Sequence, residues 1–337
     1  MFMAKRLTQQ DIARMAGVSQ ATVSLVLNNR TDSGVRIAEE TRARVLEVIR
    51  RTGYVANPIA RRLHDQRNRI LGVFTYEAVF PSTRADFYQP FLEGIEEQAE
   101  EAGCDLLLFT SAKATSGKRR IFSDDSRIRL ADGCVLLGRS IDRDDLAQLV
   151  KEAIPFVSVG RRDDAGGPVP HVGADYAAAV RNLVDRAVAL GHRELVYAGA
   201  GTGAESSADR LRGFKQAVAA HGVKGTHVQS AGLRQLLDAG VTCVLAEELS
   251  DGAALVLAAR ERGLSVPGDL SVLTLGAATR PAPDDVRLTG FRIPRREMGR
   301  RAVQALTEVL EHGTTPQELL ACEFVEGTTL GHSTAQR

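Results

Sequence analysis

Long apolar runs and paired cysteines are both missing from this chain of 337 residues. No uninterrupted apolar stretch reaches the roughly 18 residues that a membrane-spanning helix needs. The first residues hold no apolar core ahead of a small-residue cleavage site, so we expect no secretory signal. The four cysteines, at 104, 134, 243 and 322, are scattered, which argues against zinc or a disulfide framework. We therefore expect a cytoplasmic protein with reduced thiols and no membrane partner.

Motifs of common catalytic and cofactor sites are missing as well. There is no GxxxxGK[ST] phosphate loop, and the seven histidines have no metal-ligand spacing. The segment from Gly199 to Gly203 follows a predicted strand, but its GxGxG spacing is not the GxGxxG of a dinucleotide-binding loop. No pair of nucleophile and base is evident. The sequence therefore predicts no catalytic residues, no metal and no cofactor.

Charge is unevenly divided along the chain, although the net charge is only +1. Residues 1–69 hold thirteen Lys/Arg and six Asp/Glu, whereas the remainder holds thirty and thirty-six. The length predicts two or three domains. A basic head on an acidic body is typical of a polyanion-binding module joined to another domain, and a chance asymmetry is the alternative.

Helix signals come early in the basic segment. Thr8 can cap a helix whose third residue is Asp11, and Gly17 can end it with a positive φ. Two residues form the apolar stripe of this helix: Ile12 and Met15. Ser19 can cap a second helix over 20–28, with three inward residues: Val23, Val26 and Leu27. The sequence therefore predicts a helix-turn-helix, whose second helix lies in the major groove and reads base edges with its first residues.

Two further helices follow in the head. A third amphipathic helix is predicted from Glu39 to Arg51, with three residues on its buried side: Val45, Leu46 and Ile49. Asn57 and Pro58 are good first residues for a short basic helix over 59–64. Because six residues are too few to be helical alone in water, we expect this segment to become ordered on DNA.

The segments DIARMAGVSQATVSLVLN and ETRARVLEVIRRTGYVANPIARRL resemble the head and hinge of the lac repressor (LacI/GalR) family. The resemblance implies a DNA-binding head at 1–55 and a hinge helix with linker at 56–69. It implies that Gln20 and Ala21 are the main base readers. Other DNA contacts are implied at Gln10, Ser19, Thr22, Ser24, Asn28, Tyr54, Asn57 and Ala60. Leu63 would wedge into a minor-groove step with its dimer mate, and ordinary packing is the alternative for it.

Three departures from that family stand out in the head. The loop over 29–37 is longer than usual, and its Arg30 and Arg36 could contact phosphates or be solvated. Ala38 stands where the family caps the third helix with serine, which weakens that helix start by ~1 kcal/mol. Leu25 stands where some members carry a base-contacting arginine, so contacts to thymine methyl groups become more important.

From Ile70 the pattern changes to apolar strands that alternate with amphipathic helices. The predicted strands are ILGVFTY, CDLLLFT, ADGCVLLG, PFVSVG, ELVYAGA, TCVLAE and LSVLTLG. The predicted helices lie at 91–102, 144–151, 208–220 and 252–263. Such alternation predicts parallel sheets with helices on both faces and a crevice at the strand ends. The predicted fold is an all-α helix-turn-helix head followed by an α/β two-lobed body with two parallel doubly wound sheets.

The segments FLEGIEEQAEEAGCDLLL, HVGADYAAAV, ALGHRELVYAG, DRLRGF and FRIPRREMGRRAVQAL resemble the periplasmic-binding-protein-like domain of the same family. The resemblance implies an effector-binding and dimerisation domain at 70–330, in which the chain crosses between the lobes three times. The N-lobe would hold 70–160 and 291–317. The C-lobe would hold 161–290 and 318–330.

The resemblance also places an effector in the crevice. Arg210 matches the arginine that forks onto ligand oxygens, and a surface arginine is the alternative. Sugar-binding members have carboxylates where this chain has Gly160 and Gly276, and an Asn-Asp pair where it has Glu247-Glu248. These changes weaken a sugar assignment and leave a cationic effector, or solvated glutamates, open. The predicted effector contacts are Tyr76, Phe87, Arg210, Glu247 and Gly276, with Tyr88 as a further wall residue.

Together these features predict a transcriptional repressor that binds a palindromic double-stranded DNA operator as a homodimer. A small-molecule effector, a carbohydrate by resemblance, would control the affinity for the operator. The absence of a leucine heptad after Gly331 favours a dimer over a tetramer. We expect the protein in the cytoplasm, associated with the nucleoid. Three alternatives remain: a ligand-independent DNA-binding regulator, a solute-binding protein, and an α/β enzyme with an accessory head.

Overall fold

The computed structural model describes residues 7–27, 37–54, 68–77, 85–110, 114–115, 118–122, 127–230, 232–277 and 285–333. The chain divides into two compact units, Met1–Asn68 and Arg69–Arg337. We call the first unit the head and the second the body. Asn28, Asn57, Ala60 and Leu63 lie outside the described residues, as does the helix predicted over 59–64.

Three helices form the described part of the head: α1 (Gln9–Ala16), α2 (Gln20–Leu27) and α3 (Glu39–Thr52). Thr8 and Asp11 cap α1 reciprocally, because each side chain accepts the backbone N–H of the other residue. Gly17 ends α1 at φ 64°. Ser19 Oγ accepts the backbone N–H of Thr22 at 3.1 Å and so caps α2. These contacts confirm the helix-turn-helix predicted from the caps.

The core of the head consists of small and β-branched side chains. They are Ile12, Ala13, Ala16, Val23, Val26, Val45 and Val48. The prediction that Met15 and Leu46 face inward is wrong, because Met15 is 47% exposed and Leu46 is 46% exposed. The buried residues of α1 are at 12, 13 and 16 and those of α3 are at 45 and 48, so Met15 and Leu46 lie at the side of each buried stripe. The closely packed alanines of α1 therefore contribute what the longer methionine was expected to supply.

The first turn of α3 has no side-chain cap, because Ala38 precedes it and makes no such hydrogen bond. We expect Ala38→Ser to stabilise the head by about 1 kcal/mol, since the new hydroxyl can accept an otherwise unpaired N–H. Chemical unfolding of the full chain, followed by circular dichroism, measures the change. Ala38→Val is the matched control and should bring no gain; an equal gain from both variants would show that capping is not the cause.

Two six-stranded sheets form the body. The first has the order β13-β7-β6-β5-β1-β2, and all of its pairs are parallel. Its strands are β1 (Ile70–Thr75), β2 (Asp105–Phe109), β5 (Gly133–Leu137), β6 (Phe156–Val159), β7 (His171–Ala174) and β13 (Gln317–Leu320). A separate two-stranded ribbon pairs β3 (Ala114–Thr115) with β4 (Lys118–Arg119).

The second sheet has the order β14-β12-β11-β10-β8-β9. Its strands are β8 (Glu194–Ala198), β9 (Lys224–Val228), β10 (Cys243–Glu248), β11 (Ser271–Ala277), β12 (Thr289–Arg292) and β14 (Glu323–Val325). The pairs of this sheet are parallel except that β14 runs antiparallel to β12. The prediction of two parallel sheets is therefore confirmed, with one antiparallel edge strand that the sequence did not indicate.

Seven α-helices in the described part of the body accompany the two sheets. They are α4 (Ala85–Glu101), α5 (Arg143–Lys151), α6 (Tyr176–Ala189), α7 (Glu205–His221), α8 (Leu233–Asp238), α9 (Leu249–Glu261) and α10 (Arg295–His312). The α4 and α10 backbones are in direct contact. A Cβ placed on Gly94 would lie 1.9 Å from the carbonyl oxygen of Arg296, and one on Gly299 would lie 2.2 Å from that of Phe91. Only glycine permits this approach.

The predicted limits of the two lobes are wrong at two places. β7 belongs to the first sheet, so the N-lobe continues past residue 160 to about Ala174, and β13 brings 317–320 back into the same sheet. Both strands have only four residues, and β13 carries polar side chains at the sheet edge, so apolar patterning could not identify them. The chain passes between the sheets three times, as the resemblance implies.

Candidate functional site

The first turn of α2 presents the predicted base readers. The side chains of Gln20 and Ala21 are exposed, and Ser19 and Thr22 lie beside them with their hydroxyl oxygens 2.9 Å apart. Ser24 is half-buried on the same helix. Because both ends of α1 and the start of α2 are fixed by capping contacts, these side chains stand on a rigid turn. Such a turn can present an amide and a methyl group to base edges.

Two other predicted DNA contacts lie on the described part of the head. Gln10 is exposed in the first turn of α1, and Tyr54 is half-buried against the head core just after α3. Arg44 donates from Nε to the carbonyl oxygen of Ala16 at 2.8 Å and so ties α3 to the end of α1. The contacts predicted for Asn28, Asn57, Ala60 and Leu63 stay predictions.

A cleft in the body opens at the carboxyl ends of strands from both sheets, where ligands bind in open α/β folds. Its apolar wall is formed by Phe87, Tyr88, Phe91, Leu137, Val159, Tyr176, Ile293 and Met298. Its charged side chains are Arg139, Arg161, Arg162, Asp209, Arg210, Glu247 and Arg295. Gly160 also lines the cleft, at φ 99°. Five of the seven charged residues are arginines, so the chemistry of the cleft depends on how each of them is neutralised.

The structure brings three of the five predicted effector contacts into this cleft: Phe87, Arg210 and Glu247. Tyr76 was predicted wrongly. It is fully buried, its ring packs on Phe74 with centroids 5.0 Å apart, and it belongs to a core cluster of the first lobe. Gly276, near the end of β11, has a φ of 76°. Its carbonyl oxygen accepts a hydrogen bond from Arg295 Nη2 at 3.4 Å, and this is its contact with a residue of the cleft.

Arg210 is almost fully buried and is not a surface arginine. Its Nε donates to the carbonyl oxygen of Leu275 at 2.7 Å, and its Nη1 donates to that of Ser206 at 3.0 Å. Its guanidinium carbon lies 3.8 Å from the centre of the Tyr176 ring, a cation–π arrangement. These contacts hold the guanidinium in one orientation at the cleft wall.

Glu247 is a structural anchor at the base of the cleft. Its Oε2 accepts from the hydroxyl of Tyr197 at 2.9 Å and from the backbone N–H of Gly201 at 3.1 Å. Burial raises the pKa of Glu247, but hydrogen bonds from Ser207, Gly201 and Tyr197 and the charge of Arg210 lower it by more, so the pKa is below its ordinary value. The carboxylate is therefore ionised and turned toward the protein, which argues against a cationic effector held by Glu247.

Ion pairs join the two lobes across the cleft. Nε and Nη2 of Arg161 donate to Asp209 at 2.7 and 2.9 Å, Arg162 donates to Glu205 at 2.9 Å, and Arg139 lies 3.8 Å from Glu248. Each arginine follows a strand of the first sheet, and each acid belongs to the second lobe. Sequence reasoning missed all three pairs. The Arg161-Arg162 doublet directly after a strand was the available signal.

Arg295, the first residue of α10, was also missed. Its guanidinium lies 5.1 Å from the centre of the Phe87 ring, and its buried Nε has no hydrogen-bond partner among the described residues. Burial lowers the pKa of Arg295, and the charge of Arg210 lowers it further. Nothing in the local sequence distinguishes this arginine from Arg296, which is exposed and pairs with Glu97.

Within the described residues, no helix has the length and apolar character to cross a bilayer. The same part of the chain holds no group of three His, Cys, Asp or Glu side chains placed to bind a metal ion.

Two family models match the chain. That of bacterial regulatory proteins of the lacI family matches residues 8–57, and that of a periplasmic binding protein-like domain matches residues 184–330. Catabolite control protein A of Priestia megaterium is 26% identical over 333 residues, which cover 93% of this chain and 95% of that protein. The sucrose operon repressor of Klebsiella pneumoniae is 32% identical over 219 residues, which cover 65% of this chain and 63% of that protein.

The fold is also found in solved structures. The lac repressor dimer bound to operator and the anti-inducer ONPF superposes with a TM-score of 0.71 at 20% identity, covering 97% of this chain and 100% of that chain. Its fold agrees with the helix-turn-helix head and the two-lobed α/β body described above. The chain therefore carries a DNA-binding domain of the lacI family at 8–57 and a periplasmic binding protein-like domain at 184–330, and it is a transcriptional regulator.

Proposed function

We propose that this regulator binds a palindromic double-stranded DNA operator as a homodimer and represses transcription, with a small molecule in the cleft controlling its operator affinity. The observation that carries the proposal is the capped turn at Ser19, which leaves Gln20 and Ala21 exposed on the first turn of α2. The similar lac repressor structure is a dimer on its operator, which supports the same assembly here. The protein would act in the cytoplasm, at the nucleoid.

Base reading would rest on two side chains of different chemistry. The amide of Gln20 can donate to and accept from adenine in the major groove, and the methyl group of Ala21 can contact a thymine methyl. Ser19 and Thr22, beside the helix start, can contact phosphates, which position the helix without specifying sequence. Leu63 of each subunit would complete the contact by entering the central minor-groove step.

Effector control would follow from linkage between cleft and operator. A ligand that contacts both lobes favours one arrangement of the lobes, and any difference in operator affinity between arrangements becomes ligand-dependent. Arg161 and Arg162 on one lobe and Asp209 and Glu205 on the other are the contacts that would break or re-form in such a change.

Operator selection from random DNA tests the proposal. The wild-type protein should enrich a palindromic site, and Gln20→Ala should relax preference at one or two positions of each half-site by about 1–3 kcal/mol per position with an unchanged salt slope. Glu47→Gln, an exposed change on α3, is the matched control and should enrich the wild-type site. Recovery of no common sequence by the wild-type protein would refute the proposed function.

A second candidate is a regulator that binds operator without a ligand. Three ion pairs already join the lobes, so no ligand is needed to hold them together. Repeating the selection with added cell metabolites separates the two candidates: unchanged affinity with every metabolite fraction would favour the ligand-independent regulator.

A further inference from the structure

Two arginines of the cleft stand apart from the other three. Arg210 comes from α7 and Arg295 from α10, yet they are held by successive carbonyl groups at the end of β11: Arg210 Nε by Leu275, and Arg295 Nη2 by Gly276. Each guanidinium also lies over an aromatic ring, that of Tyr176 or Phe87. A buried cation, Arg210, and a half-buried one, Arg295, are therefore fixed on neighbouring carbonyl groups, and both line the same cleft.

Neither cation forms an ion pair with a carboxylate among the described residues, although the charge of Arg210 lowers the pKa of Glu247. Arg139, Arg161 and Arg162 each form an ion pair across the lobes, whereas Arg210 and Arg295 form no ion pair within the described ranges of the chain. Glu247, an acid of the same cleft, uses Oε2 for Tyr197 and Gly201. The buried Nε of Arg295 is left without an acceptor. A half-buried charge without a counter-ion, as at Arg295, is costly, and an unmade hydrogen bond from it adds to that cost.

The backbone at Gly276, next to both arginines in the hydrogen-bond pattern, does not suit an acidic side chain. The carbonyl oxygen of Gly276 accepts from Arg295, and the φ of 76° at Gly276 disfavours any residue with a Cβ. A Cβ there would also lie 3.1 Å from the ring and from the carbonyl oxygen of Phe291. A carboxylate side chain at this position would therefore be strained, so the end of β11 supplies no negative charge to these two arginines.

We propose that the cleft binds a small metabolite through an anionic group, a carboxylate or a phosphate, held by Arg210 and Arg295. Guanidinium donors suit the paired oxygens of either group. Ser206 and Ser207, in the first turn of α7, line the same space, and the N-terminus of a helix favours a negative charge. The rings of Phe87 and Tyr176 and the side chain of Met298 would contact the uncharged remainder of the ligand. The inference rests on the proposed function, because it names the chemical class of the effector.

Thermal unfolding of the full chain at constant ionic strength tests the inference. The probes are sodium phosphate, sodium gluconate and neutral glucose, and unfolding is followed by far-ultraviolet circular dichroism because the chain has no tryptophan. Phosphate or gluconate at about ten times its dissociation constant should raise the Tm by about 3 °C, and glucose should not. The anion with the larger effect identifies the effector group as a phosphate or a carboxylate.

Substitutions test whether the rise in Tm comes from anion binding in the cleft. Arg295→Gln should lose it, Arg295→Lys should keep part of it, and Arg292→Gln, an exposed arginine on the same segment, should keep all of it. Without probe, Arg295→Gln should unfold at or above the wild-type temperature, because it removes an uncompensated charge. Phosphate bound to the basic head would raise the Tm of Arg295→Gln as much as that of the wild type.

Three results would overturn the inference: no rise with either anion, an equal rise with glucose, or a full rise in Arg295→Gln. Operator selection with Arg295→Gln separates this failure from failure of the proposed function. If the anions have no effect while both proteins enrich the same operator, the ligand class is wrong and the DNA-binding function stands.

Discussion

Gly299→Ala is expected to destabilise the body by about 3 kcal/mol, although alanine is the better helix former. The new methyl group would lie 2.2 Å from the carbonyl oxygen of Phe91 and 3.1 Å from the backbone nitrogen of Ile95. These are backbone atoms of α4, so no side-chain rotation can make room. The two helices would have to separate, and the buried side chains that both helices pack on the first sheet would lose contact.

Urea unfolding of the full chain measures this loss, and a second helical glycine supplies the control. A Cβ on Gly252 of α9 would meet only side chains, the nearest being a methyl carbon of Leu288 at 3.1 Å. Gly252→Ala should therefore change the free energy of unfolding by less than about 1 kcal/mol. Equal effects of the two substitutions would show that helix propensity, and not the close approach of α4 and α10, decides the outcome.

Glu247→Ala is expected to cost about 3 kcal/mol at neutral pH, because it leaves buried donors without an acceptor. The hydroxyl of Tyr197 and the backbone N–H of Gly201 both donate to this carboxylate. The pKa of Glu247 is lowered from its ordinary value of 4.5, so the folded state binds its proton less readily than the unfolded state. The stabilisation is therefore fully present above about pH 4.5 and is lost as the pH falls toward the lower, folded-state pKa.

Unfolding free energies measured between neutral and acidic pH test both the cost of Glu247→Ala and its dependence on pH. The difference between wild type and Glu247→Ala should shrink as the pH falls below 4.5. Glu261→Ala, an exposed change at the end of α9, is the control and should have little effect at any pH. A difference that stays constant into acid would mean that Glu247 contributes by packing and not by its charge.

The parts of the fold that were predictable are those that short stretches of sequence determine. Thr8, Gly17 and Ser19 mark helix ends because capping depends on one side chain or one φ angle. The central strands were predictable because burial on both faces requires a continuous apolar run. The edge strand β13 is half-exposed and β7, although buried, has only four residues, so neither sequence carries such a run.

The candidate site was predictable only where one residue has a fixed role. Arg210 and Phe87 were identified by resemblance, and both line the cleft. Tyr76 was misplaced because an aromatic residue after a strand suits a core as well as a cleft wall. The ion pair of Arg161 with Asp209 joins residues 48 positions apart, and no local pattern indicates such a partner. Arg295 was missed for the same reason, since its environment is made by residues distant in the sequence.

The last two strands of the body bear on what happens when synthesis of this protein stops early. β13 and β14 are each an edge strand, one in either sheet, and both come after residue 316. A messenger with a premature stop codon before that point would still encode the whole DNA-reading head, but its product would leave β7 and β12 with unpaired edges. Unpaired edges promote aggregation and attract proteases. A truncated product of this kind would therefore be prone to aggregation and proteolysis, although its head would be complete.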